Sequence, residues 1–442
     1  MTAHQSVHYH MSGMRSEDDT RDHFHRLERE LGLLSERSPL KAIWERIRFP
    51  VFQQVRNGLR GYGDQNRSID YSSMPVGTAL LELSRMLARG IRHFPLPSFS
   101  RRGVLFWCDP RRRWGKDNTY WDIWSDPLID EMASDQVTCI EPPWALKHSR
   151  PTHTKTVYYA DLFMAMAVSL GKLFPRQLTK SQVQACVVTR QRILQEFAID
   201  VPIPHIARAA KTRAFWERVM YRILIGMYKP KLMFVTVSYA RENLIETAKA
   251  LGVVTVEIQH GIISKNHFGY SYPKGVTKRS FPNYLLAFGE YWKHVCNLPI
   301  DQNAIIPIGY PHLEEATGST KCRKQRQALF VTQGNTGGFI AKKAVEFAER
   351  NKDAMKTVVK LHPNEYPHWR ELYPALANAH DGHQLTAIDR DDPPLYSLLQ
   401  ESMWVVGLNS TVLVEAIAFG CHVIVLKLPG YEYMCGLREA GS

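Results

Sequence analysis

The chain has 442 residues, 44% hydrophobic and 22% charged, enough material for two sizeable cores in a globular protein. No uninterrupted apolar run reaches about eighteen residues, and the opening MTAHQSVHYHMSGM has neither a basic start nor an apolar centre, so neither a membrane span nor a secretory leader is expected. Lys and Arg outnumber Asp and Glu by 56 to 43, and this surplus suits a phosphate-bearing substrate or an anionic bilayer surface; without a C2H2 finger or an aromatic-basic RNA signature, nucleic acid is not an expected partner.

The seven cysteines are scattered with no CxxC pair, which suits a reducing cytoplasm and argues against a disulfide framework or a Cys-rich zinc site. No His or carboxylate pairs stand at metal-ligand spacing outside His8 and His10 in the opening tail, so no metal is expected.

Residues 1–100 read as a helical N-terminal extension and linker. Phe24, Leu27, Leu31 and Leu34 recur at helical spacing, and a second helix sets Ile43, Trp44, Ile47, Val51 and Val55 among Lys41, Arg46, Arg48, Arg56 and Arg60. Pro50 is expected to kink or end it. Residues 41–60 suit either docking onto the protein's own body or contact with an anionic membrane surface, since both use the same apolar side. A turn-rich linker follows from Gly61 to Gly77, then a short helix around Leu80 to Ile91.

The first clear strand, Gly103 to Cys108, runs into a loop carrying Asp109, Arg111, Arg112, Arg113, Lys116 and Trp121, a candidate acceptor or phosphate site; three successive arginines cannot all face one ligand. Strand VTCI follows, then helices over Tyr158–Leu173, Lys180–Ala198 and Pro204–Ile225. The stretch 231–309 alternates buried strands (LMFVTVS, Leu251–Val256, YLLAFG, AIIPIG) with helices, including one over EYWKHVCNL. Glu314 to Arg326 is a polar linker candidate. A second cadence then runs through ALFVTQ, TVVKLH, QLTAID, MWVVGL and HVIVL. The pattern is that of two successive doubly wound α/β domains facing a cleft.

Candidate site residues cluster after the strands, where open α/β sheets bind ligands. His260, beside Gly261, has the pKa range to take a proton from a hydroxyl, and Asp109 or Glu257 are the substitute bases. His267 is a weaker loop candidate. Lys360, His362 and Pro363 follow an apolar strand and can meet a diphosphate. Gln333 and Gly334 lie in a glycine-rich loop without the Walker lysine. Asn409, Ser410 and Thr411 open a helix whose first amides can bind an anion, and Glu415 on that helix could bond ribose hydroxyls.

Taken together, His260-Gly261, His362-Pro363 with Lys360 before it, the Ser410 helix start and Gly309-Tyr310-Pro311 resemble the GT-B type bacterial envelope-polymer transferases, namely capsule polysaccharide glycosyltransferases and teichoic-acid CDP-glycerol glycerophosphotransferases. The resemblance covers roughly residues 230 to 430. It implies an α/β GT-B fold: a Rossmann-like acceptor domain over 101–315, a nucleotide-binding one over 325–442, and the extra helical N-terminal region. It also implies no cofactor, a general base at His260, donor phosphate held by His362, Ser410 and Thr411, and acceptor contacts from Arg111, Lys116 and His267. Where the glycerophosphotransferases carry an acidic residue and a tyrosine, this chain has Leu408 and Asn409, which favours a sugar donor. The expected activity is inverting transfer from a CMP- or UDP-linked sugar to a surface polysaccharide or lipid-linked glycan, at the cytoplasmic side of the membrane. The alternatives are polyol-phosphate transfer and nucleotide-sugar epimerisation.

Overall fold

The computed structural model describes residues 16–60, 76–94, 103–115, 117–318, 323–428 and 430–436. Lys116 lies outside the described residues, as do residues 61–75 of the expected linker.

Two parallel sheets organise the chain. The first takes β1 (Val104–Trp107), β4 (Val137–Glu141), β5 (Val157–Tyr159), β6 (Leu232–Thr236), β7 (Val254–Ile258), β8 (Tyr284–Ala287) and β9 (Ile305–Pro307) in the order β5-β4-β1-β6-β7-β8-β9. The second takes β10 (Gln325–Val331), β11 (Lys356–Lys360), β12 (Thr386–Ile388), β13 (Ser402–Gly407) and β14 (His422–Val425) in the order β12-β11-β10-β13-β14. Both order patterns reverse beside the first strand of their sheet, which opens a crevice at the carboxyl ends. Between β1 and β4, β2 (Arg113–Trp114) and β3 (Tyr120–Trp121) form a small antiparallel hairpin. β6 and the second half of β10 (Ala328–Val331) read as apolar runs because they are buried on both faces.

The N-terminal helices belong to the body of the protein. Helix Glu17–Glu30 begins with a capping box in which Ser16 and Asp19 satisfy each other's backbone amides. Helix Lys41–Leu59 runs straight through Pro50 rather than ending there. Its buried face of Ile43, Trp44, Ile47, Val51, Phe52 and Val55 packs with Ile193, Phe197, Ile203 and Phe268, and this burial offsets the missing proline hydrogen bond. The same packing corrects the membrane expectation for residues 41–60. Their apolar side chains are already covered, Arg48 is buried, Arg46 pairs with Glu246, and Arg56 donates to the Tyr433 hydroxyl at 3.0 Å. Among the described residues no helix is long and apolar enough to cross a membrane.

Three elements differ from expectation. Val157–Tyr159 is the edge strand β5, and the helix expected from Tyr158 begins at Asp161; three residues are too few to show a period. EYWKHVCNL forms only a single turn of 3-10 helix, Glu290–Lys293, because the Asn297 carbonyl is drawn away to the Tyr272 amide (2.9 Å) and Pro299 follows at once. The expected linker is partly helical: Pro311–Gly318 forms a helix whose Glu314 accepts from the Tyr310 amide at 3.0 Å.

Candidate active site

The site is assembled from the carboxyl ends of both sheets. β7 ends at Ile258, and the chain then turns through His260 and Gly261 toward the second half. A methyl group built on Gly261 would lie 3.4 Å from Thr411 Cγ2, so the His260 loop and the start of helix Thr411–Ala418 are nearly in contact. Ile262 packs into the second half's core and Val414 into the first half's, which makes this contact an apolar seam.

His260 sits in a defined hydrogen-bond chain. Glu257 is fully buried and accepts from the Ser238 amide (2.9 Å) and the Tyr270 hydroxyl (2.6 Å). The Tyr270 proton is therefore committed to Glu257, and the phenol oxygen is left to accept from His260 Nδ1 at 3.3 Å. That fixes the proton on Nδ1 and leaves Nε2 as the basic nitrogen, 3.3 Å from the Tyr239 hydroxyl. Burial, and then the positive charge of Arg111, push the His260 pKa down to about 3, so the ring is neutral and, before any ligand binds, a weak base. Glu257, with no exposed surface, lies beneath the ring and orients it through Tyr270. Burial raises the Glu257 pKa.

The other first-half candidates take different places. Asp109 is nearly buried and receives two bonds from the Arg111 guanidinium, at 2.9 and 2.7 Å. Burial alone would raise its pKa, but these bonds hold the carboxyl below its usual range, making Asp109 an anchor for Arg111 and a poor base. Arg112 turns inward to Glu141 (2.5 Å) and Asp126 (3.2 Å), whereas Arg113 is exposed and its charge reaches Glu415 across the cleft. His267 is locked into a wall: it stacks on Phe49 at 5.1 Å, and its Nδ1 accepts from the Gly269 amide at 3.2 Å. Burial pushes its pKa down to about 4.

In the second half, His362 caps the turn Pro363–Glu365, its Nδ1 accepting from the Asn364 amide at 3.2 Å. The proton of the neutral ring is thereby placed on Nε2, a donor free of that cap. Burial lowers its pKa. Its own amide donates to Thr332 Oγ1 and Glu365 Oε2, both at 2.9 Å, fixing it beside the end of β10. There Gly334 has a positive φ of 38°, and Gln333 Oε1 is buried with no partner. Ser410 Oγ accepts from the Val412 amide at 3.3 Å and keeps its hydroxyl proton to donate. Asn409 precedes it, with its Nδ2 against the Gly430 turn. Glu415 is 6% exposed, burial raises its pKa against the opposing charge of Arg113, and its Oε2 has no partner.

Lys360 departs from the expected grouping: its ammonium turns outward to the Arg390 carbonyl and the Tyr366 ring (5.4 Å), away from Ser410. Among the described residues no hydrogen bond or ring contact joins His260 to His362; His260 follows a strand of the first sheet and His362 a strand of the second, and the Ser410 helix start lies next to the His260 loop. Sequence reasoning left out Tyr239 and Tyr270 as site residues, and named Arg113 only as one of three successive arginines in a candidate loop. Tyr270 lies ten positions beyond His260, a separation with no strand or helix period to mark it. Among the described residues no group of three or more His, Cys, Asp or Glu could hold a metal ion.

No family model matches the chain, and no curated protein matches it. Similar solved structures include UDP-GlcNAc 2-epimerase from Neisseria meningitidis bound to UDP-GlcNAc, at 13% identity, 76% of this chain and 90% of that one, and a TM-score of 0.41. The wall teichoic acid polymerase TagF is similar at 11% identity, 89% and 81% coverage, and a TM-score of 0.37. The spinosyn rhamnosyltransferase SpnG is similar at 15% identity, 76% and 84% coverage, and a TM-score of 0.39. With two parallel Rossmann-like sheets meeting at their carboxyl ends, the chain has a GT-B-type fold.

Proposed function

We propose that this protein is an inverting glycosyltransferase that moves a sugar from a CMP- or UDP-linked donor to a surface polysaccharide or lipid-linked glycan. The observation that carries the reading is the Glu257–Tyr270–His260 chain, which leaves Nε2 unprotonated, 3.3 Å from the Tyr239 hydroxyl, on a loop that nearly touches the start of helix Thr411–Ala418. In this reading an acceptor hydroxyl enters from the Arg111 side. Its proton passes to His260 Nε2, its oxygen bonds the anomeric carbon, and the carbon–oxygen bond to the donor phosphate breaks. The departing phosphate gains negative charge, and in this reading Nε2–H of His362, the Ser410 hydroxyl and the Thr411 amide offset it. Glu415 Oε2 and Gln333 Oε1, buried and unpartnered, are the groups offered to the nucleoside.

A protein of this kind works at the cytoplasmic face of the membrane, where nucleotide-linked donors are made. The test is a thermal-shift screen of CMP, CDP, UDP and GDP on the wild type and His362→Ala. A nucleotide at about 100 times its Kd stabilises by ~2.7 kcal/mol. The expected result is one nucleotide that stabilises the wild type and fails on the variant. Absence of any shift on the wild type refutes the reading, and turnover of a UDP-sugar with no acceptor present replaces it with epimerisation.

A further inference from the structure

The loop after β4 presents an indole that the fold does not need. Trp144 is 58% exposed, in a protein whose Trp44 and Trp107 are almost fully buried. Its position is imposed by the backbone. Trp144 donates to the Lys147 carbonyl at 3.0 Å and Lys147 donates back at 2.9 Å, closing a two-residue turn. The two central residues, Ala145 and Leu146, have φ of 48° and 64°. Such turns ordinarily take Asn-Gly, because a left-handed backbone costs an L residue with a Cβ about 1–2 kcal/mol. Leu146 offsets part of that cost by burial with Met86 and Ala165. The strain thus has a consequence: it holds Trp144 outward in one place.

That place is linked to the proposed base through Arg111 and Trp124. The Arg111 guanidinium lies 5.8 Å from the Trp144 ring centre and 5.3 Å from that of Trp124, and Trp124 meets His260 edge-on at 6.3 Å. Arg111 commits Nε and Nη2 to Asp109, while its Nη1 makes no hydrogen bond among the described residues. A flat apolar face beside a fixed set of unused N–H donors is the chemistry of a pyranose site, in which the ring's C–H face covers the aromatic plane and its hydroxyls bond at the rim. A glycerol phosphate unit has no such face.

We infer that Trp144 is a stacking platform for a sugar ring of the acceptor, with Arg111 Nη1 bonding that ring's hydroxyls. The inference rests on the glycosyltransferase reading and narrows it, since the acceptor's reacting end is then a pyranose and not a polyol phosphate chain. The test is saturation-transfer NMR without donor, using cellobiose, lactose and N,N′-diacetylchitobiose as probes and glycerol as the control, on wild type, Trp144→Ala and Trp144→Phe. One disaccharide is expected to receive saturation on its ring C–H protons from the wild type. The signal should fall roughly five- to tenfold in Trp144→Ala and be largely kept in Trp144→Phe. The nucleotide thermal shift should be the same in all three proteins. Equal signal in Trp144→Ala, no disaccharide signal on the wild type, or a glycerol signal as strong as the sugars' overturns the inference. A Trp144-dependent sugar signal in a protein that no nucleotide stabilises keeps the platform and refutes the transferase reading instead.

Discussion

Tyr270→Phe isolates the hydroxyl that links Glu257 to His260. The ring itself stays packed: Tyr270 is fully buried, at 5.4 Å from the Tyr239 ring and 6.4 Å from Phe281, and phenylalanine fills the same space. What is lost is one donor to a buried carboxylate and the acceptor that holds the His260 Nδ1 proton. Glu257 is then left with the Ser238 amide alone, because its Oε2 already lacks a partner. Withdrawing a donor from a buried polar group costs about 1–3 kcal/mol, which urea unfolding at pH 7 resolves. The sharper readout needs no substrate. Long-range 1H–15N correlation spectra report which nitrogen of His260 carries the proton: Nδ1 in the wild type, and a mixture or Nε2 in the variant. Once a donor is known, turnover should fall about ten- to hundredfold, less than the full contribution of a general base, with donor affinity unchanged. An unchanged tautomer together with stability within about 0.5 kcal/mol of wild type would refute the orienting chain.

Arg48→Met tests how the N-terminal helices hold the site loop. Arg48 and Glu28 are both buried and doubly bonded at 2.9 Å, and Arg48 Nη1 also donates to the carbonyls of Phe268 (2.6 Å) and Ser271 (3.0 Å). The variant leaves Glu28 with only the Trp44 indole N–H (2.7 Å) and His25 Nδ1 (3.1 Å), so the loss at pH 7 should be about 3 kcal/mol, the low end for a broken buried pair. Burial would raise the Glu28 pKa, but Arg48 draws it from 4.5 down to about 2. The pair's stabilisation is therefore fully present above the unfolded value and lost as pH falls toward the folded one. The variant's deficit should shrink on going from pH 7 to about pH 3, and a constant deficit would show that the ion pair is not its source. His260 runs in a different window. Its pKa drops from 6.5 to about 3, so the unfolded chain takes up the proton first and stability falls as pH drops below 6.5. That amounts to at most about 2 kcal/mol between pH 8 and pH 5, which His260→Gln should not lose; an NMR titration midpoint near the unperturbed value would contradict it.

The fold was readable because most of the central strands are short apolar runs, many of them followed by a longer amphipathic helix. Buried strands such as Leu232–Thr236 and Ser402–Gly407 have no solvent face to dilute the signal. The residues that follow strand ends, His260, His362 and Ser410, could be singled out for the same reason. Their partners could not. Tyr270 reaches back to Glu257 across a loop, Tyr239 stands in a 3-10 turn, and Arg113 belongs to a two-residue hairpin strand; none sits at a repeating interval from the residue it serves. Side-chain direction was equally hidden. Lys360 and His362 are two positions apart, yet one ammonium bonds outward to Arg390 while the neighbouring ring caps its own turn. For residues 41–60, composition fitted a bilayer and a protein core alike, and only the position of Phe268 and the Ile193–Ile203 stretch decided for the core.

The bracing of the His260 loop limits how the cleft can change. Arg48 grips the loop at Phe268 and Ser271, Asp18 bonds Asn266 and Lys265, and Tyr433 donates to the Asn266 carbonyl at 2.9 Å. Tyr433 belongs to the turn Tyr431–Met434, which follows the last strand of the second sheet but is tied to the first half through Asn266, Arg56 and the Glu17–Glu432 contact. The chain therefore crosses between the halves twice, once after β9 and once after β14, where Gly430 takes a φ of 105°. A rotation of the second half has to bend at those two crossings, because the loop carrying His260 is fixed to the N-terminal helices and the C-terminal turn together. In such a movement Thr411 and Glu415 travel relative to His260, while the Glu257–Tyr270–His260 chain, wholly within the first half, keeps its geometry. In the transfer reaction proposed above, the base is thus set before a donor arrives, and closure would govern only where the donor phosphates lie against it.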